Sequence, residues 1–117
     1  MPLRTAGRFN ADLAHDAILV QHEGIRYFAE RDLADACDRA TTIRDIATGQ
    51  VEGVVRVYAF NPVEHTADDV TEEIAIAIAN AAGSEPITAG LRDFIETHAG
   101  LDYARGLAVD DRAFAAA

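Results

Sequence analysis

Lysine and tryptophan are absent from this 117-residue chain, serine occurs once, at Ser84, and cysteine once, at Cys37. One cysteine excludes an internal disulfide framework, so nothing calls for an oxidising compartment. Long apolar runs are missing as well. The longest, Ile74 to Ala79, falls far short of the roughly 20 residues that span a bilayer. The opening residues from Met1 to Ala6 lack the apolar centre of a secretory signal, and the expected location is the cytoplasm. Basic residues are scarce, with ten arginines against twenty acids and a net charge of −10. That balance excludes direct binding to nucleic acid, which needs clustered cations to displace counterions, and binding to an anionic membrane surface. The eight glycines stand apart from one another, so no phosphate-cradling loop exists and a nucleotide enzyme is not expected.

What the chain has in quantity is alanine, 24 residues of it. The length suffices for one domain with a close-packed core that needs neither disulfide nor structural metal. Residues 1–117 are read as a single domain, with an N-terminal arm over 1–15 and a frayed tail over 113–117. Acidity is concentrated in one half. Residues 1–60 hold seven arginines and nine acids, residues 61–117 three arginines and eleven acids.

Two β-prone runs, Ala17 to His22 and Ile25 to Ala29, flank Glu23-Gly24 and read as a hairpin. From Glu30 to about Thr48 the period turns helical, with Leu33, Cys37, Ala40, Ile43 and Ala47 on one stripe and a restart suggested by Thr42 and Asp45. Val51 to Phe60 reads as a central strand, ended by Asn61-Pro62. Thr66 and Asp69 resemble a capping box opening a helix that Gly83 closes. A third helix carries Ile87, Leu91, Phe94, Ile95 and His98, and Gly100 ends it. The order β-β-α-β-α-α predicts an α+β fold: a small two-layer domain with a three-stranded mixed sheet and helices mainly on one face.

Candidate chemistry is thin. Cys37 falls on an apolar stripe with Asp35 and Asp38 beside it, a setting for core packing and not for a nucleophile. Ser84 lacks a Gly-x-Ser-x-Gly elbow. The histidines His15, His22, His65 and His98 show no metal-binding spacing, and Glu64, His65, Asp68 and Asp69 lack a calcium-loop pattern. No catalytic residue, metal or cofactor is assigned.

The most specific feature is Glu64, Asp68, Asp69, Glu72 and Glu73, five acids within ten residues and no arginine among them. Acids at a helix start offset its dipole, which suits Asp68 and Asp69 better than Glu72 and Glu73. With Asp69, Glu72 and Glu73 on one helical face the repulsion is mildly unfavourable; a solvated face is the plainer reading of the cluster, and a partner-binding role is the alternative that the repulsion keeps open. The favoured reading is a non-enzymatic acidic protein presenting these five residues to a basic protein partner, such as a nucleic-acid-binding protein whose phosphate contacts the carboxylates imitate. In size and acidity the chain resembles phage-encoded inhibitors such as anti-CRISPR proteins, a likeness of class that transfers no residues. One alternative is a small enzyme or ligand-binding domain with a site between sheet and helices, lined by His22, Arg26, Tyr27, Arg56 and Tyr58. A second is a homo-oligomeric structural subunit. The helix around Ile74–Ala82 is apolar on nearly every side, and Ile74, Ile76 and Ile78 are its candidate self-association residues.

Overall fold

The computed structural model describes residues 15–31, 38–61 and 63–110. The fold is a four-stranded antiparallel sheet with four helices, in sheet order β2-β1-β3-β4. β1 spans His15–His22 and β2 spans Ile25–Phe28. Between them Glu23 and Gly24 both take positive φ, 52° and 80°. That pairing matches the turn whose twist suits a two-residue hairpin, and glycine fills its second position without strain. His15 already belongs to the strand, so the expected arm is shorter by one residue, and its remainder lies outside the described residues.

α1 spans Arg39–Ala47. Its start is set by Asp38, whose carboxylate accepts from the Thr41 backbone N–H at 3.0 Å. Hydrogen bonds from Thr41, side chain and then backbone, hold Asp38 below the usual carboxylate range. Thr42, expected to restart the helix, is instead fully buried inside it and accepts from Arg31 at 3.0 Å. The expected stripe residues Leu33 and Cys37 lie outside the described residues.

β3 spans Val54–Asn61 and pairs antiparallel with β1, with a register irregularity at Leu19/Val20. The mixed sheet expected from the sequence is therefore corrected. β2 and β3 do run parallel, joined through α1, but β1 lies between them and every neighbouring pair is antiparallel. The strand count is corrected too. Thr66–Asp69 is not the first turn of a helix but β4, paired with β3 from Tyr58↔Asp69 to Asn61↔Thr66. Tertiary pairing overrides a weak local pattern here, because a complementary strand edge satisfies backbone groups that two polar side chains would otherwise cap.

α2 spans Thr71–Ala82, α3 Ala89–Ala99 and α4 Leu101–Ala104. Thr88 caps α3 by accepting from the Leu91 backbone N–H at 3.1 Å. Ile87 clasps the end of this unit, donating to the Ala108 carbonyl and accepting from the Asp110 N–H, both at 2.9 Å. Asp16, Ile18 and Val20 of β1 and Val57 and Ala59 of β3 point to one side of the sheet, where Ile46, Ile74, Ile78, Leu91, Phe94 and Ile95 complete the core.

Gly53 fixes the join between the hairpin and β3. Its φ is +73°, and a Cβ there would meet the Gln21 carbonyl oxygen at 2.7 Å and the His22 ring at 2.9 Å. The same oxygen-lined corner is tied by Gln21 N–H to the Gly53 carbonyl at 2.9 Å. Gly53→Ala is expected to lower stability by about 1–3 kcal/mol from the left-handed backbone alone, with the clash adding to it. Urea unfolding should show a smaller loss, or none, for Gly90→Ala, where a Cβ would meet open space inside a helix.

Candidate functional site

The acidic segment wraps one edge of the sheet. After β3, the Asn61 side-chain carbonyl accepts from the backbone N–H groups of Val63 and Glu64 at 3.0 and 3.1 Å. This local turn chemistry, with His65 at φ 59°, reverses the chain into β4. Glu64 sits in the turn, Asp68 and Asp69 in β4, and Glu72 and Glu73 in the first turn of α2, all five exposed. The segment follows one edge of the sheet as a strand and then a helix, with Asp68 and Asp69, adjacent in β4, turned to opposite faces of the sheet. Asp69 does not share a helical face with Glu72 and Glu73. Glu72 and Glu73 are the acids that offset the α2 dipole, a role the sequence pattern gave to Asp68 and Asp69.

Two of the five carboxylates also work inside the fold. Asp69 Oδ1 accepts from the Thr71 backbone N–H at 2.9 Å and from the Thr71 hydroxyl, whose oxygen accepts in turn from the Val57 N–H at 3.0 Å. Asp69 Oδ2 lies 3.2 Å from Arg56 Nη1. The Thr71 hydroxyl above all, then its backbone N–H, with Arg56 and His98 helping, hold the Asp69 carboxyl below the usual range. Glu73 pairs with Arg39. Glu64, Asp68 and Glu72 make no ion pair among the described residues. They are the uncompensated negative charge of this edge.

Beside the edge lies a shallow polar notch of about 300 Å³, lined by Arg56, Asp69, Thr71, Glu72, Thr97 and His98. Burial pushes the His98 imidazole below its ordinary value, Arg56 pushes the same way, and Asp69 opposes both. The Phe94 ring, 4.9 Å from His98 between centroids, forms part of that burial. Sequence reasoning placed His98 at a helix end and missed its meeting with Arg56, since 42 positions separate the two. Of the five residues proposed to line an enzyme site, only Arg56 reaches this notch. A separate cavity of about 160 Å³, between the Gly49–Val54 turn and the start of α3, is lined by none of them. Among the described residues, no group of three or more His, Cys, Asp or Glu side chains is placed to hold a metal ion.

The three candidate self-association residues differ in exposure. Ile74 and Ile78 are fully buried in the core of the single chain, and Ile76 is half-buried. Burial beneath the rest of the chain accounts for most of the apolar surface of α2. Among the described residues no helix is long and apolar enough to cross a membrane.

The fold and this edge define a small α+β domain with a charged rim. Comparison with protein-family models, with curated proteins and with solved structures finds no match for this chain.

Proposed function

We propose that this chain is a non-enzymatic interaction protein that presents the β4–α2 edge to a basic protein partner. The observation that carries this reading is the continuous exposed run of Glu64, Asp68, Asp69, Glu72 and Glu73 on one edge, three of them without a counter-charge among the described residues. Fixed carboxylates of this kind speed association with a basic surface and set its orientation. Asp69 and Glu73 are held in place by Thr71, Arg56 and Arg39, so the edge is pre-organised and little ordering is needed on binding. A nucleic-acid-binding protein is the partner whose surface fits best, because its groove is built to meet spaced negative charges. A phage-type inhibitor of such a protein is one form this activity would take.

The test exploits the division of labour within the edge. Neutralising Glu64, Asp68 and Glu72 as E64Q/D68N/E72Q removes the uncompensated charge and leaves the internal pairs of Asp69 and Glu73 intact. The tagged wild-type chain is expected to retain a basic nucleic-acid-binding protein from host lysate at roughly 50 mM salt and to release it at roughly 500 mM, where exposed charges are screened. The triple variant, still folded by circular dichroism although Glu72 no longer offsets the α2 dipole, is expected to retain none, and duplex DNA is expected to displace the captured protein from the wild type. Equal capture by the triple variant would overturn the reading.

A further inference from the structure

We propose that the opposite edge of the sheet, β2, is a self-pairing edge, and that two copies of this chain join through it into one eight-stranded antiparallel sheet. The two edges are built differently. β4 reads Thr-Ala-Asp-Asp, and charges on an edge strand keep other strands away. β2 reads Ile-Arg-Tyr-Phe, carries no acid or proline, and has no strand on its outer side among the described residues; Ile25, Tyr27 and Phe28 are 66, 48 and 51 % exposed. Large apolar side chains on an open strand edge are the usual mark of a pairing surface.

The backbone of this edge limits the register. Ala29 donates to the Ile18 carbonyl at 2.9 Å, and β1–β2 partners are Leu19↔Phe28, Val20↔Tyr27, Gln21↔Arg26 and His22↔Ile25. In an antiparallel ladder, hydrogen-bonded and non-bonded pairs alternate. Ile25, Tyr27 and Ala29 therefore spend their backbone groups on β1, while Arg26 and Phe28 turn theirs outward, and Glu30 would follow them if the dimer prolongs β2 by two residues. A second copy related by a two-fold axis can bond only outward-facing residues to outward-facing residues. Every register centred on a residue satisfies this, and three of them differ in the pairs they make. One centred on Arg26 opposes two arginines. One centred on Tyr27 leaves Arg26 opposite Phe28 and Glu30 opposite Gly24. The third, centred on Phe28, sets Arg26 of each copy opposite Glu30 of the other and stacks the two Phe28 rings across the axis.

Charge selects the third register. Each copy carries −10 overall, so two copies approach best where acids are fewest, and the Ile25–Phe28 edge has none. Arg26 and Glu30 are the opposite charges this edge offers, both exposed, and the Phe28 register is the one that pairs them twice. Phe28 also lies edge-on to Tyr58, 6.3 Å between centroids, which steadies the ring for stacking. The dimer leaves both acidic edges at the far ends of the joined sheet, so it is independent of the partner-binding reading and compatible with it.

The full chain is expected to sediment at twice its 12.6 kDa mass in the micromolar range. Arg26→Glu places four acids across the axis and is expected to weaken the dimer by about tenfold or more, two opposite-charge pairs having become like-charge pairs. The swap R26E/E30R restores the pairs and is expected to restore the mass. Arg26→Pro removes an outward N–H without touching the β1–β2 ladder and is expected to give a monomer with the wild-type circular dichroism spectrum. A wild-type mass of one chain throughout that range overturns the proposal, as does a dimer insensitive to Arg26→Glu. A swap that stays monomeric while folded overturns the Phe28 register. Loss of dimer with retained partner capture separates this result from any failure of the acidic edge.

Discussion

Truncating Ile78 to alanine is expected to cost about 3–4 kcal/mol of folding stability, within the range for large-to-small changes at closed core sites. Ile78 is fully buried, on the α2 face that packs against the sheet and α3, among Ile18, Val57, Ile74 and Ile95. The substitution removes three carbon atoms from an interior rich in alanine, whose small neighbours have little side chain with which to fill the space. A cavity therefore remains, and the loss exceeds the transfer term alone. Ile76→Ala, on the half-buried face of the same helix, is expected to lose about 1 kcal/mol, since much less apolar area returns to water. Urea unfolding of both variants checks the contrast. Similar losses at the two positions would mean that α2 is covered on its outer face by something beyond the single chain.

The second large effect is electrostatic. Asp16 is only 2 % exposed in β1, and Arg39 Nε meets its Oδ2 at 2.8 Å. The guanidinium also pairs with Glu73, so this one side chain ties β1 to α1 and α2. Its hydrogen bond to Asp16 is the main cause holding Arg39 above its ordinary value. Arg39→Met leaves a buried carboxylate without its cation, and the expected loss is about 3 kcal/mol, the lower end for a broken buried pair because Arg39 itself is partly exposed. The melting temperature should fall by roughly 10 °C. Asp16→Leu combined with Arg39→Met removes both charges and is expected to recover most of that loss, since apolar replacement of a buried ion pair is often neutral. A double-mutant cycle with no coupling between the two positions would show that the pair contributes little.

Where residues next to one another decide structure, the fold was legible in the chain. Two β-prone runs around Glu23-Gly24 specified the hairpin, and the run from Val51 to Phe60 specified β3, which begins three residues later, at Val54. Gly100 ends α3 as its sequence implies, but the helix starts only after its Thr88 cap, so Ile87, expected within it, lies before it and bridges to Val109 instead. β4 was not legible, because Thr66-Ala67-Asp68-Asp69 has no apolar alternation and imitates a helix start. It becomes a strand only through the open edge of β3. The place of β1 between β2 and β3 was hidden for a related reason: order within a sheet depends on which edges meet in space. The acidic edge was visible because its five residues fall within one short segment. The internal duties of Asp69 and Glu73 were not, since Arg56 and Arg39 reach them across 13 and 34 positions.

The central claim is that the Glu64–Glu73 edge, and not acidity at large, is the working surface. The most direct measurement is a nuclear magnetic resonance titration of the ¹⁵N-labelled chain with an oligoarginine peptide, which supplies the basic partner's chemistry in defined form. The expected result is a saturable set of backbone shifts confined to residues 64–73 and the adjoining Thr97 and His98, lost in E64Q/D68N/E72Q. Shifts spread evenly over the other exposed acids, Glu23, Glu52, Glu85 and Asp93 among them, would contradict it and leave the negative charge with a solubility role alone.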